Sequence, residues 1–486
     1  MNKLLNLARR SYEAVVLITS RIGQSHTNAT PDTPTKRQIL KRRIAAFRPF
    51  CQIARKAPNF VVNFQIIWRK KFPGYLVYRA FVERAWRKKP THPMKRLCLW
   101  LWVLCLVPMR LFAWTDGELL IWMDTDRGHA LKPIAQKFEN HFGIKATIES
   151  PEKITDSFAL AAQVAKGPDI VIWAHDKIGE WAEGGLIAPI EFSDALAHKF
   201  FPKSLQAVLH QNRSWGYPIA LETVTLIYNR NLLNGPPPTE LSQLTSINQK
   251  INTKHPGVTT ILWDYKSAYY SWGILDSAGG YVFGKNGTDY NLEDVGVATP
   301  ESVEGLSRII ALVQAGILPK SVSYSAVEEM MGQDKLAMMI SGPWSWANLR
   351  QHGINFGVAP MPGVSGKPGR PFVGVMVAYL NRSSPNQDLA REFLEQSVLT
   401  EEGLSAMNHG KPIGIPALIS LYKRMAKDSV LLRKLKMSVD YGEVMPNIPQ
   451  MARFFSSVGA ALQIATEGRA SAEAALREAE ANMRHP

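Results

Sequence analysis

The chain has 486 residues, 46% of them hydrophobic and 20% charged, with a formal net charge of +16 and three cysteines. Lys plus Arg against Asp plus Glu is 23 against 3 over residues 1–113 and 34 against 38 over residues 114–486, so the basic surplus is confined to the first part. Residues 114–486 have near-neutral balance and no cysteine, which argues against a nucleic-acid groove and against a disulfide scaffold, and their length is ample for two domains with packed cores.

Residues 1–93 are basic, with runs KRQILKRR at 36–43 and RAWRKK at 84–89. Three readings stay open for them: an extended reading of a gene whose translation starts at Met94, a genuine basic extension, or a nucleic-acid or membrane-surface arm. Residues 94–113 have the parts of a cleavable signal peptide: the head Met94-Lys95-Arg96, an apolar run of about 13 residues, and Ala113 at the end. The run is shorter than the roughly 20 residues a membrane span needs and carries Pro108 and Arg110. Large residues precede Cys105, where a lipid-attachment cysteine would follow small ones. The expectation is a soluble periplasmic product beginning at Trp114.

From Glu118 short apolar runs alternate with helical periodicity, which predicts α/β architecture. Strands are expected at 118–122, 144–149 and 169–173, with helices at 130–142 and 155–165, giving a mostly parallel sheet. Ligands of open α/β sheets bind beyond the carboxyl ends of the strands. Asp124, Asp126 and Arg127 follow the strand ending at Trp122, and Asp176 and Lys177 follow the one ending at Trp173. Trp122 continues its strand and reads as core; Trp173 reads equally as core or contact.

In YPIALETVTLIYN at 217–229, Glu222 interrupts an extended apolar run. It is either a solvent-facing residue on an edge strand or a carboxylate at a crossing between domains, directed at a ligand. Thr239 is expected to cap a helix start after the prolines at 236–238. A strand at 259–263 leads to Tyr265, Tyr269 and Trp272, which share a helical face and serve either the core or a ligand. Residues 334–350 predict a strand, a Gly342-Pro343 turn and a helix whose start receives Trp344 and Trp346. A strand at 370–380 contains Gly374, where the backbone bends or passes close to a neighbour. Helices complete the chain, the last long one over 445–468 with two prolines inside it and Met451, Phe454 and Phe455 on its first turns.

No HExxH, GxGxxG, Walker loop or GxSxG elbow is present, and His129, His175 and His255 have no metal-ligand spacing. No metal or cofactor is expected. Aromatic rings with carboxylates suit a carbohydrate, whose C–H face stacks on Trp or Tyr while its hydroxyls donate to Asp or Glu. Glycosidases use the same materials, and their two carboxyls must face each other across a glycosidic bond.

From Gly117 to about Arg477 the chain resembles the periplasmic maltose/maltodextrin-binding proteins of ABC transporters. The resemblance is carried by LLIW at 119–122, GPDIVIWAHDKIG at 167–179, YPIALE at 217–222, SGPWSWAN at 341–348, FVGV at 372–375, SSPNQDLAREFLE at 383–395 and EVMPNIPQM at 443–451. It implies a two-lobed periplasmic-binding-protein fold with crossing hinge segments and a carboxy-terminal helical region. The lobes would be 114–221 with 378–425, and 222–377 with 426–486. Position by position it implies ligand contacts at Asp126, Arg127, Trp173, Asp176, Lys177, Glu222, Tyr269, Trp344 and Phe455. It further implies a maltose or maltodextrin ligand, an inner-membrane ABC permease, a chemoreceptor as a further partner, a monomer, and no catalysis. Thr155, Ser267, Ala268, Ser456 and Gly459 depart from the family pattern, which points to weakened outer subsites or another oligosaccharide.

Overall fold

The computed structural model describes Trp114, residues 117–287 and residues 289–484. The basic segment, the expected leader and all three cysteines lie outside the described residues.

Strands β1 (Leu119–Trp122), β2 (Ala146–Glu149) and β3 (Ile170–Ala174) are short apolar runs separated by the helices Thr125–Phe142 and Ile154–Gln163. The first helix starts earlier than its apolar periodicity suggests, because Asp124 caps it by accepting from the Arg127 N–H. A hairpin, β4 (Leu209–His210) and β5 (Arg213–Ser214), precedes β6 (Tyr217–Glu222) and β7 (Thr225–Asn229). The apolar run at 217–229 is therefore two strands in two different sheets, parted at Thr223-Val224. β8 (Thr259–Leu262), the hairpin β9 (Tyr281–Asn286) and β10 (Asp289–Gly296), β11 (Leu336–Ser341) and β12 (Phe356–Ala359) follow. β13 (Phe372–Leu380), β14 (Ile415–Pro416) and β15 (Glu443–Val444) complete the strands described.

The larger sheet has the order β14-β6-β13-β3-β1-β2, with β15 also pairing with β13. The second has the order β12-β7-β11-β8. Two sheets with helices around them give the expected two-lobed α/β architecture, both sheets lying within the unit Met109–Pro486. All nine residues of β13 are buried, as expected for a strand with both faces covered.

Strand polarity decides where the sheet edges meet. β1, β2 and β3 are mutually parallel, while β13 is antiparallel to both β3 and β6. The carboxyl ends of β1, β3 and β6, at Trp122, Ala174 and Glu222, therefore share one rim. In the other sheet β8 and β11 are parallel and β7 runs against β11, so Leu262, Ser341 and the start of β7 share a rim. The two-residue step from Glu222 to Thr225 joins one rim to the other.

Two further segments pass beside that step. Thr223 Oγ1 donates to the Phe372 carbonyl (2.7 Å) at the start of β13. His175, just after β3, accepts the Val375 N–H at Nδ1 (3.0 Å) and meets the Met445 carbonyl at Nε2 (2.8 Å). The Val375 donor requires an unprotonated Nδ1, so the ring is neutral with its proton on Nε2. Burial pushes this histidine down to about 4 against those two hydrogen bonds, in keeping with a neutral tie.

Some local expectations give way to packing. Glu240, not Thr239, caps the turn at Leu241–Gln243, and Gln243 returns the contact to the Glu240 N–H. The last long helix starts at Met451, after both prolines rather than around them. Tyr265 precedes its helix, and both it and Trp272 are fully buried, so only Tyr269 of that stripe retains exposure. Trp346 is core while Trp344 is half-buried, so the pair expected together at one helix start is divided.

Asp169, also buried, holds the opening of the fold together. Its carboxylate accepts from the Leu120 N–H (2.7 Å), Ser384 Oγ (2.5 Å) and Asn386 Nδ2 (3.2 Å). Replacing Asp169 by Ala removes the acceptor for three donors, and the expected loss in urea unfolding free energy is about 3 kcal/mol. A loss below about 1 kcal/mol would show that solvent takes over these donors.

Candidate functional site

Glu222 is the last residue of β6 and points into the junction of the two rims. It pairs in register with Gly374 of β13, where an added Cβ would lie 3.6 Å from Glu222 Cγ and 4.0 Å from Tyr269 Oη. At Gly414 an added Cβ would lie 3.4 Å from Glu222 Cβ and 3.4 Å from Pro343 Cγ. Gly414 has φ +84° and faces the Leu221 carbonyl at 2.5 Å from that Cβ position, so both conformation and space demand glycine there. Gly374 thus lies next to both Glu222 and Tyr269, and Gly414 next to both Glu222 and Pro343, with Tyr269 and Pro343 following β8 and β11 of the smaller sheet.

The electrostatics are those of a carboxylate withdrawn from water. Burial raises the Glu222 pKa; Arg127 opposes the rise, Asp124 adds to it, and Lys411 opposes it. Arg127 is itself buried and anchored: Nη2 donates to the Pro412 carbonyl (2.9 Å), Nε to the Lys411 carbonyl (3.3 Å) and Nη1 to Asp124 (3.3 Å). Its fork therefore ties the first helix to the 411–412 turn and supplies a fixed positive charge near Glu222. Asp126 is exposed and lies 3.8 Å from Lys411 Nζ.

Asp176 follows β3 in the turn His175–Lys177. Burial raises its pKa to about 6, Lys177 pulling it back and Glu180 adding to the rise. Lys177 is paired with Glu180 (3.0 Å). Trp173, the residue before Ala174 at the end of β3, is 36% exposed, an unusual state for a tryptophan on a strand otherwise buried.

On the other side, Tyr269 is held well above the ordinary phenol range by burial and next by Glu222, with Tyr270 and Asp176 adding to the effect. Its ring lies 6.3 Å from that of Trp344, tilted by 43°. Trp344 follows Gly342, where an added Cβ would come within 2.1 Å of the indole, so the glycine allows the ring to fold back across the chain. Phe455 is half-buried, edge-on to Phe454 (5.3 Å) and Phe372 (6.3 Å). Ser456 is exposed, and an added Cβ at the nearby Gly459 would meet only the Lys266 carbonyl, at 3.7 Å.

The structure therefore gathers Glu222, Tyr269, Trp344, Arg127 and Asp176 around one junction, with Asp126 reaching it through Lys411. Trp173, Lys177 and Phe455 stand outside that set of contacts. Lys411, Gly414 and Tyr324, a partner of Trp344 through the indole N–H, belong to the junction but carried no local sequence signal. Among the described residues no cluster of three or more His, Cys, Asp or Glu could hold a metal ion. A separate cavity of about 240 Å³ is lined by Glu183, His210, Asp289, Tyr290, Asn447 and Gln450 among others. Its walls contain none of the junction residues. Glu222, Asp176 and Tyr269, whose pKa values are shifted by burial, lie at the junction and not in this cavity.

The raised Asp176 pKa has a consequence for stability. Unfolded, the group titrates near 3.8, and folded near 6, so the native state binds the extra proton between those values. Stability falls as pH rises through that window, and the cost of holding the charge is fully present above it. Asp176→Asn is expected to raise the melting temperature at pH 7 and to lose that advantage below about pH 4. An advantage that persists unchanged at pH 3.5 would show that Asp176 is not the source.

The family model described as bacterial extracellular solute-binding protein matches residues 124–397. The chain is 28% identical over 359 residues to a maltotriose-binding protein of Pyrococcus abyssi (strain GE5 / Orsay), covering 71% of this chain and 77% of that one. It is 27% identical over 373 residues to a galactooligosaccharide-binding protein of Bacillus subtilis (strain 168), covering 75% and 88%. It is also 26% identical over 378 residues to the maltodextrin-binding protein MdxE of the same organism, covering 75% and 89%.

Proposed function

Because the chain belongs to the bacterial extracellular solute-binding protein family, we propose that it binds an oligosaccharide of the maltodextrin type between its lobes and delivers it to an ABC permease. The observation that carries this reading is the junction itself. A carboxylate at the end of β6 shares the Gly374 position with Tyr269 from the other lobe, whose ring lies 6.3 Å from that of Trp344, and an acceptor near ring faces is what a pyranose requires. We divide the lobes as 114–221 with 378–425 and 222–377 with 426–486, a division that cuts the crossing strands themselves, since Glu222, residues 372–377 of β13 and β15 still pair in the larger sheet. Sugar touching both favours their closed arrangement, because only there are both sets of contacts made.

In this reading Glu222 and Asp176 accept sugar hydroxyls, Trp173, Tyr269, Trp344 and Phe455 offer ring faces, and Asp126, Arg127 and Lys177 orient the acceptors and the first helix. The small side chains at Thr155, Ser267, Ala268, Ser456 and Gly459 leave the outer part of the cleft with few donors. The protein carries out no reaction of its own, acts as a monomer, and presents its closed surface to the permease and to a chemoreceptor.

A second reading has a specific basis: the relative named for galactooligosaccharides is as similar as those named for maltotriose and maltodextrin. Calorimetry against maltose, maltotriose, maltotetraose and β-galactosyl oligosaccharides separates the two. Maltotriose is expected to bind and to reduce the radius of gyration in solution scattering. Trp173→Ala should raise the dissociation constant about thirtyfold, equivalent to about 2 kcal/mol. Binding of the galactosides alone would move the assignment to them, and release of shorter sugars from maltotriose would replace binding with hydrolysis.

The exported form begins at Trp114 after removal of residues 94–113. Intact-mass measurement of the secreted protein is expected to give that amino terminus, and a secreted form retaining residues before Met94 would overturn the assignment of the leader.

A further inference from the structure

Trp344 is held by more than its own backbone turn. Its Nε1 donates to Tyr324 Oη at 2.9 Å. Tyr324 opens the helix Tyr324–Gly332, and its hydroxyl donates in turn to Glu328 Oε1 at 2.6 Å, one turn along the same helix. Ser341 Oγ, at the end of β11, lies 3.3 Å from the same hydroxyl. The Tyr324 ring stacks on Tyr270 (5.7 Å between centroids, 25° between planes), and Tyr270 meets Tyr269 edge-on at 5.4 Å.

A phenol has one proton to give. Directed to Glu328, it leaves the oxygen lone pairs for the indole N–H, and an ionised Glu328 draws that proton and makes the oxygen a stronger acceptor. Burial, followed by the bond to Glu328, raises the pKa of Tyr324, so it remains the donor throughout the working pH range. The arrangement fixes the indole at its nitrogen edge, while the missing Cβ at Gly342 leaves room for its six-membered ring.

We propose that Tyr324 and Glu328 are positioning residues that set the plane of Trp344 through the relay Trp344 Nε1–H to Tyr324 Oη–H to Glu328. The proposal rests on the reading of Trp344 as a ring face for the ligand, and it adds two residues to which the family resemblance assigned no role. An unrestrained indole would have to be ordered whenever ligand bound; the relay bears that cost during folding. Tyr270 contributes by stacking, which keeps the Tyr324 ring from turning its hydroxyl away.

The test compares Tyr324→Phe, which keeps the stacked ring and removes the hydroxyl, with Glu328→Gln, which keeps an acceptor and removes the charge. The readout is the Trp344 indole N–H resonance in ¹⁵N-labelled full-length exported protein, assigned by its absence from Trp344→Phe. Tyr324→Phe is expected to move that resonance upfield and speed its exchange with water, Glu328→Gln to do both by less, and affinity for maltotriose to fall about three- to tenfold in the first variant. A merely structural role for Tyr324 would lower the melting temperature without moving that resonance selectively. An unmoved resonance in Tyr324→Phe, or a moved one with unchanged maltotriose affinity, overturns the proposal. If the unaltered protein does not bind maltotriose, the functional reading fails while the two resonance shifts still decide whether the relay positions Trp344. Should Tyr324→Phe not fold, Glu328→Gln carries the same comparison.

Discussion

The junction depends on one half-buried carboxylate at the end of a buried strand. Glu222 ends a buried strand at the point where the chain leaves one sheet for the other, and a charge there is costly without compensation. Arg127 supplies that compensation from a fixed position, since its guanidinium is bound to the carbonyls of Lys411 and Pro412. The helix bearing Arg127 and the turn at 411–412 are thereby tied together, with their positive charge held near the crossing strand. Preorganisation of this kind lowers what binding must spend on ordering groups.

Much of this was legible in the chain. The alternation of apolar runs and amphipathic helices gave the parallel order of β1, β2 and β3, and the rule that carboxyl ends share a rim placed Asp176 and the residues after Trp122 on one side. Glu222 stood out because a carboxylate inside an apolar run must either face solvent or have a reason to be buried. The place of β6 between β14 and β13 removes the edge-strand alternative. Other features were invisible because their causes are non-local. Nothing near Thr239 indicates that Glu240 outcompetes it as a cap. Nothing near Tyr265 and Trp272 separates them from Tyr269, because that depends on which side of the helix another sheet covers. Lys411 and Gly414 meet residues almost 200 or more positions away, and Tyr324 meets Trp344 through a strand and a turn that sequence periodicity does not orient in space.

The two sides of the junction are built differently. On the larger sheet the groups are charged: Arg127 is anchored to the 411–412 turn and to Asp124, while exposed Asp126 lies 3.8 Å from Lys411. On the smaller sheet they are aromatic and held by one another: Tyr269 by Trp344 and Tyr270, Tyr270 by Tyr324, and Trp344 by the Tyr324 hydroxyl. In the proposed reading, the first side selects among hydroxyl geometries and the second offers contact area with little directional demand. In the same reading, Ser267, Ser456 and Gly459, which depart from the family pattern, fall on the second side, where a missing polar group alters reach and area without disturbing the charged side.

The neutral imidazole of His175 carries a mechanical implication. Its two nitrogens stitch the end of β3 to β13 at Val375 and to Met445, just after β15, while Thr223 fastens the first crossing to Phe372. Three neighbouring ribbons fastened side by side behave like a leaf spring: they bend together about a common line but resist sliding and skewing. Any swing of one sheet against the other is thus steered along a single arc, and opposing groups return to the same alignment on every cycle.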